Sequence, residues 1–219
     1  MPSPLLLIVL LFSIALLLAV VQLGLITIAF DRLGLSPASA VLLLITSVLG
    51  SGINLPLFRV KAEAPKQEIT PRLMWRLLRQ EPPPFTGSTL IAINVGGGLI
   101  PVSFCAHILS HNPLPVPELL IAIAIVTTIS YLASRPIHGF GVGMPLLIAP
   151  ITAAIVALLL DPAHSAPLAY ICGTLGVLIG ADIFRLGDIR KMGVSVAAIG
   201  GAGTFDGIFI TGIVAALLA

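Results

Sequence analysis

The chain has 219 residues, 58% of them hydrophobic and 9% charged, with a mean hydropathy of +1.14. A soluble globule of this size needs more polar surface than that, whereas a protein solvated by lipid does not. The net charge of +2 gives nucleic acid no footing, because the basic residues sit almost wholly in connectors, where membrane orientation accounts for them.

Seven apolar stretches follow one another, each near the roughly 20 residues that cross a bilayer core. They cover residues 4–30, 37–58, 88–109, 116–134, 141–160, 166–184 and 194–219. The first is too long for a signal-peptide core, has no Lys or Arg before it and leads into another span. It therefore reads as a retained helix, with no cleaved targeting segment. If the spans alternate sides, Arg59, Lys61, Lys66, Arg72, Arg76, Arg79, Arg135, Arg185, Arg190 and Lys191 share one side and only Arg32 lies on the other. By the positive-inside rule the amino terminus and the 59–87 connector are cytoplasmic and the carboxyl terminus is outside. The expectation is an all-α integral membrane protein of about seven transmembrane helices, some interrupted by Gly or Pro. Residues 1–219 form a single transmembrane domain in the inner membrane of a prokaryotic cell.

The 59–87 connector contains ITPRLMWRLLRQEPPP. Pro71 is suited to begin a short helix with Leu73, Met74, Leu77 and Leu78 opposite Arg72, Arg76 and Arg79, a pattern that suits an anionic membrane surface. A solvated basic connector that only fixes topology is the other reading. Pro82, Pro83 and Pro84 then stiffen the re-entry into the next span.

Polar groups recur at one level of the predicted bundle. Asp206 lies in the last span, roughly 9 Å from its cytoplasmic end if that span begins at Gly200. Asp182 closes the preceding span on the same side. A carboxylate inside a bilayer costs roughly 2.5–3.5 kcal/mol even on permissive scales and marks a functional site. Asn54 with Pro56, Asn94 before Gly96, Gly97, Gly98 and Pro101, and the run GFGVGMP at 139–145 come to the same level. Interrupted backbone at membrane depth is tolerated where protein covers it or where it lines a water-filled cavity. A cavity open to the cytoplasm accommodates all these features, although small residues also serve simply to pack helices closely.

The segments NLPL (54–57), NVGGGLIPV (94–102), GAD (180–182) and GGAGTFDGIF (200–209) resemble those of an uncharacterised prokaryotic family of multi-pass membrane proteins, a domain of unknown function. More distantly, an Asp ending one helix and a Gly-rich Asp motif in the next is similar to the intramembrane aspartyl proteases of the presenilin and signal-peptide-peptidase type. That resemblance implies Asp182 and Asp206 as catalytic residues. One carboxyl keeps a proton and acts as acid while the other, as base, activates water against a peptide carbonyl. Gly201 and Gly203 would let a transmembrane peptide substrate approach, with Thr204, Asn54 and Asn94 as further substrate- or ion-binding positions. The sequence departs from the pattern in having seven expected spans against nine in the presenilin type, and in three further ways. Thr204 and Phe205 lengthen the spacing between the glycines and Asp206, the adjacent Gly187–Asp188 pair sits in the basic loop RLGDIRK, and no Pro-Ala-Leu motif follows Asp206. An ion- or proton-coupled transporter or channel using the same carboxylates is the competing class.

Other chemistry has less to build on. Cys105 and Cys172 fall within apolar segments and read as buried thiols. His107 and His111 share a helical spacing, with Asp161 and His164 on the same side, but Asn112 and Pro113 end the helix at once. Neither a metal nor another cofactor is expected. A Gly-rich phosphate loop with a following Lys is missing, and Ser195 has no His at its expected depth.

Overall fold

A computed structural model describes residues 24–25, 27–63, 87–137, 141–201 and 207–219. Most of the described chain is helical, but a sheet is built into one end, and four of the seven expected spans are not single helices. The stretch 37–58 is helix α1 (Pro37–Ser51) followed by strand β1 (Asn54–Lys61), and 88–109 is strand β2 (Ser88–Asn94), a π-helical turn (Val95–Leu99) and helix α2 (Ile100–His111). Helix α3 (Val116–Ala133) leads to a hairpin of β3 (Arg135–Ile137) and β4 (Gly141–Gly143), and helix α4 (Ile148–Leu160) follows. After the turn Pro162–His164 comes α5 (Ser165–Val177), continued by a second π-helical turn (Leu178–Ile183) and the short α6 (Leu186–Ile189). Strand β5 (Val196–Ile199) and helix α7 (Gly207–Leu218) complete the fold.

The reading of an all-α protein is corrected by these strands. A continuous apolar run does not distinguish a buried strand from a buried helix, because both lack a polar face. Pro56 removes a helical donor from β1, and β2 ends at Asn94, which turns the chain by capping the helix that follows. Strand β2 pairs antiparallel with β1 and parallel with β5, giving the order β1-β2-β5. A bulge between Pro56 and Phe58 sets Leu57 outside the register. It brings Leu55, Phe58 and Val60 to one face, and Asn54, Pro56, Arg59 and Lys61 to the other. Each strand adjoins one of the basic connectors, so the sheet lies at a single end of the bundle.

Among the described residues, two helical runs, Val116–Ala133 and Pro162–Ile189, are long and apolar enough to cross a membrane. They differ in environment. The apolar window of the first is 28% buried and that of the second 72%, so α5 is the central helix and α3 flanks it. Around α5, the rings of Phe104 and Tyr170 meet edge to face with centroids 5.0 Å apart, and Phe30, Ile108 and Ile171 are fully buried beside them. A second layer joins α3, α4, α5 and α7 through Val126, Ala153, Leu168, Ala169 and Ala215.

Small residues set the spacing of this bundle. A side-chain carbon at Gly176 would lie 2.6 Å from Val126 Cγ1, and one at Gly180 would collide with the carbonyl oxygen of Thr127. One at Gly96 would collide with the α1 backbone at Ser47 and Ser51. Backbone cannot yield as a flexible side chain does, so Gly96→Ala and Gly180→Ala are each expected to cost about 1–3 kcal/mol. Gly187, with open space around it, should accept Ala with little change. Unfolding of the purified variants in detergent checks this, and equal stability of all three would contradict the packing.

Candidate functional site

Asp182 stands in the wide π-turn that continues α5, and contacts with α3 secure that turn on both sides. Upstream, Gly180 lies against the α3 backbone at Thr127 and Tyr131. Downstream, Arg185 Nη2 donates to the carbonyls of Tyr131 (2.7 Å) and Ser134 (2.9 Å), and its Nε donates to Ser134 Oγ at 3.2 Å. Its remaining Nη1 reaches Asp188 Oδ2 at 3.0 Å, while the guanidinium lies 4.2 Å from the centre of the Tyr131 ring. A cation at the last carbonyls of a helix satisfies acceptors that have no partner in the helix and complements its dipole. Arg185, read from sequence as a topology-setting loop charge, therefore also ties the exit of the Asp182 turn to the end of α3.

The carboxylate itself is half-buried and accepts a hydrogen bond from the backbone N–H of Gly200 at 2.7 Å. Gly200 and Gly201 follow β5 with φ of 83° and 93°, in the left-handed region that glycine enters without steric cost. Space restricts Gly200 as well. A side-chain carbon there would lie 2.6 Å from Gly98 N and 2.8 Å from the carbonyl carbon of Gly97. The turn after β5 is thus pressed between Asp182 on one side and the glycines of the first π-turn on the other.

Asn94 builds that π-turn. It is buried, and its Oδ1 accepts from Gly97 N at 2.8 Å while its Nδ2 donates to Ser51 O at 2.7 Å and to Asn54 Oδ1 at 3.0 Å. Ser47 Oγ donates to Gly96 O at 2.8 Å, which fastens the other side of the turn to α1. One continuous layer results, running from α1 through Gly96–Gly98 and Gly200 to Asp182 and α3.

Of the residues singled out by sequence, Asn54 meets Asn94 across β1 and β2. Asp182 meets Gly200, next to Gly201. Gly203, Thr204 and Asp206 lie outside the described residues, as does the basic segment at 71–79. Ser47, Gly180, Arg185 and Gly200 were not foreseen as parts of the site. For Gly200 the doubled glycine after an apolar run was an available signal. For Arg185 there was none, because its partners are carbonyls about fifty residues away.

The histidine candidates form two separate pairs. His107 and His111 have ring centroids 4.2 Å apart, and His111 Nδ1 lies 2.9 Å from His107 O. Asp161 Oδ2 lies 3.0 Å from His164 Nδ1. Among the described residues no three His, Cys, Asp or Glu side chains converge as a metal site. Cys105 and Cys172 are buried and unbridged. One surface hollow lies beside Thr27, Asp31 and Leu35 and another lies along α3 at Ala124, Ile125 and Thr128. Neither touches Asp182.

A model of the family described as a protein of unknown function, DUF1614, matches residues 48–218. The chain belongs to the DUF1614 family. The match spans β1, the Asn94 turn, the Asp182 turn and α7, so the layer just described falls inside the DUF1614 region except for Ser47 and the part of α1 before residue 48. No curated protein and no solved structure matches the chain.

Asn94 uses both donors and one acceptor on backbone and on Asn54, which makes it first a support of the π-turn. Replacing it by Ala strands the Gly97 N–H and the Ser51 carbonyl, at an expected cost of about 1–3 kcal/mol. Asn54→Ala, at an exposed strand end, should cost less than about 1 kcal/mol. Thermal unfolding of the two variants tests the assignment, and an equal loss in both would contradict it.

Proposed function

We propose that this DUF1614 protein is a multi-pass protein of a prokaryotic inner membrane that acts as an aspartyl endopeptidase on a transmembrane peptide, with Asp182 and Asp206 as its catalytic pair. The membrane part rests on an apolar belt. On α1, Val41, Leu42, Ile45, Val48 and Leu49 are exposed, on α3 Leu120, Ile121, Ile125 and Leu132, and on α4 Ile151, Ile155, Leu158 and Leu159. So much outward-facing aliphatic surface on several helices is stable against lipid and is rare on a soluble monomer. The ten-to-one division of basic residues supports a cytoplasmic amino terminus and an external carboxyl terminus.

The observation that carries the chemistry is the hydrogen bond from Gly200 to Asp182. Gly200 opens the glycine-rich approach to Asp206 six residues later, so the two acid-bearing segments are joined where the first acid stands. The sheet supports an extended peptide as the substrate. Among the described strands, β5 is at the edge of its sheet and ends at Ile199, just before Gly200, and an edge strand offers unpaired backbone groups to an extended peptide. The carbonyl of a bound peptide would then come beside Asp182, where water activated by one carboxylate attacks while the other donates the proton.

The broken spans favour a second reading. Strand β2 gives way to the Asn94-capped turn and α2 inside one expected crossing, and β5 gives way to α7 inside another. Discontinuous crossings of this kind line substrate and ion sites in secondary transporters. The readings part in proteoliposomes carrying a fluorescent reporter helix and an internal pH dye. The protease reading expects cleavage that falls at least 100-fold in Asp182→Asn and Asp206→Asn, in keeping with loss of a general acid or base. Asp188→Asn should retain it. Full cleavage in both catalytic variants would overturn the peptidase, and proton flux without cleavage, lost in Asp206→Asn, would establish the carrier.

A further inference from the structure

At the sheet end of the bundle, two segments remote in sequence carry unpaired cations to one place. The Glu63 N–H donates to Arg190 O at 2.8 Å, which joins the continuation of β1 to the turn after α6. Arg59 and Lys61 lie on one face of β1, opposite Leu90 and Ser88, and Arg190 and Lys191 lie in the joined turn. All four are exposed. None makes a side-chain hydrogen bond or ion pair with another described residue. Among the described acids here, Asp188 is held by Arg185 at 3.0 Å, which leaves Glu63 against the four positive charges.

The same strand changes character along its axis. Leu55, Leu57 and Phe58 are exposed at 43%, 52% and 50%, and the next residue is Arg59. An apolar-to-cationic step within one strand residue, about 3.3 Å of rise, matches the boundary between acyl chains and phosphate headgroups. The bulge at Leu57 adds to this by giving two consecutive apolar side chains an outward course. Clustered Lys and Arg at a membrane surface attract anionic lipid, each contributing up to about a fivefold change in binding.

We infer that Arg59, Lys61, Arg190 and Lys191 form a binding site for the phosphate headgroup of an anionic phospholipid in the cytoplasmic leaflet, at the step from the apolar to the cationic end of β1. The site is separate from the Asp182 layer and rests on the membrane reading alone. The lipid holds β1 to the 190–191 turn, and so helps to keep β2 and β5 in register on either side of the first π-turn.

The test is native mass spectrometry and thermal unfolding of the purified full chain in detergent, with phosphatidylglycerol, phosphatidylcholine or inorganic phosphate added. Phosphatidylglycerol should bind about 10-fold more tightly than phosphatidylcholine and raise the unfolding temperature, and inorganic phosphate should do neither. The double variants Arg59→Gln/Lys61→Gln and Arg190→Gln/Lys191→Gln should each lose that preference, and Arg32→Gln, at the opposite end of the bundle, should keep it. Equal binding of the two lipids, or an undiminished preference in both double variants, would overturn the site. Stabilisation by inorganic phosphate equal to that by phosphatidylglycerol would overturn the lipid assignment. If a variant fails to fold, the wild type decides, since a preference unchanged from about 50 to about 500 mM salt is incompatible with headgroup pairing. A chain that stays monodisperse without detergent would instead contradict the membrane reading itself.

Discussion

The hydrogen bond between the Gly200 N–H and the Asp182 carboxylate is the contact on which the arrangement of the candidate site depends. It joins the π-turn of the central helix to the turn that follows β5, two pieces with no covalent proximity. Its 2.7 Å length is in the range of a charge-assisted bond. The backbone of Gly200 is also closely packed on the side of Gly97 and Gly98, which present only main chain there. Three glycines, one asparagine cap and one carboxylate thus form a single packed layer in which backbone meets backbone.

Both π-turns belong to this layer. A π-turn widens the helix by one residue per turn and is held only where its surroundings favour it, often at functional sites. Here the supports are identifiable. Asn94 and Ser47 hold the turn at 95–99 against α1, and Gly180 and Arg185 hold the turn at 178–183 against α3. The candidate acid and the residues that hold the shape of the layer are therefore interleaved. Asp182 is two residues from Gly180 and three from Arg185, so its direction is fixed from both sides by the same neighbouring helix.

The sequence made the exceptional residues legible more readily than the elements that hold them. Asp182 stood out because an acid in an apolar segment is costly, and Asn94 because it precedes three glycines and a proline. Their common level followed from the alternation of basic connectors. The strands were not legible, since STLIAIN and SVAAI read as the openings of apolar spans with no polar alternation to separate period 2 from period 3.6. The order β1-β2-β5 was also hidden. It brings a strand near the end of the chain beside one more than a hundred residues earlier, and only the finished bundle does that. Arg185 shows the same limit, because its charge was visible and its carbonyl partners on α3 were not.

The most direct test of the layer is amide hydrogen exchange across 196–201, measured on the chain in lipid nanodiscs for the wild type and for Asp182→Ala. Exchange protection reports the free energy of opening that bond. A slowly exchanging Gly200 amide in the wild type, at least about tenfold faster in the variant while α5 stays protected, is the expected result for a bond of this kind. A Gly200 amide that exchanges at the same rate in both proteins would contradict the docking of the last segment on Asp182.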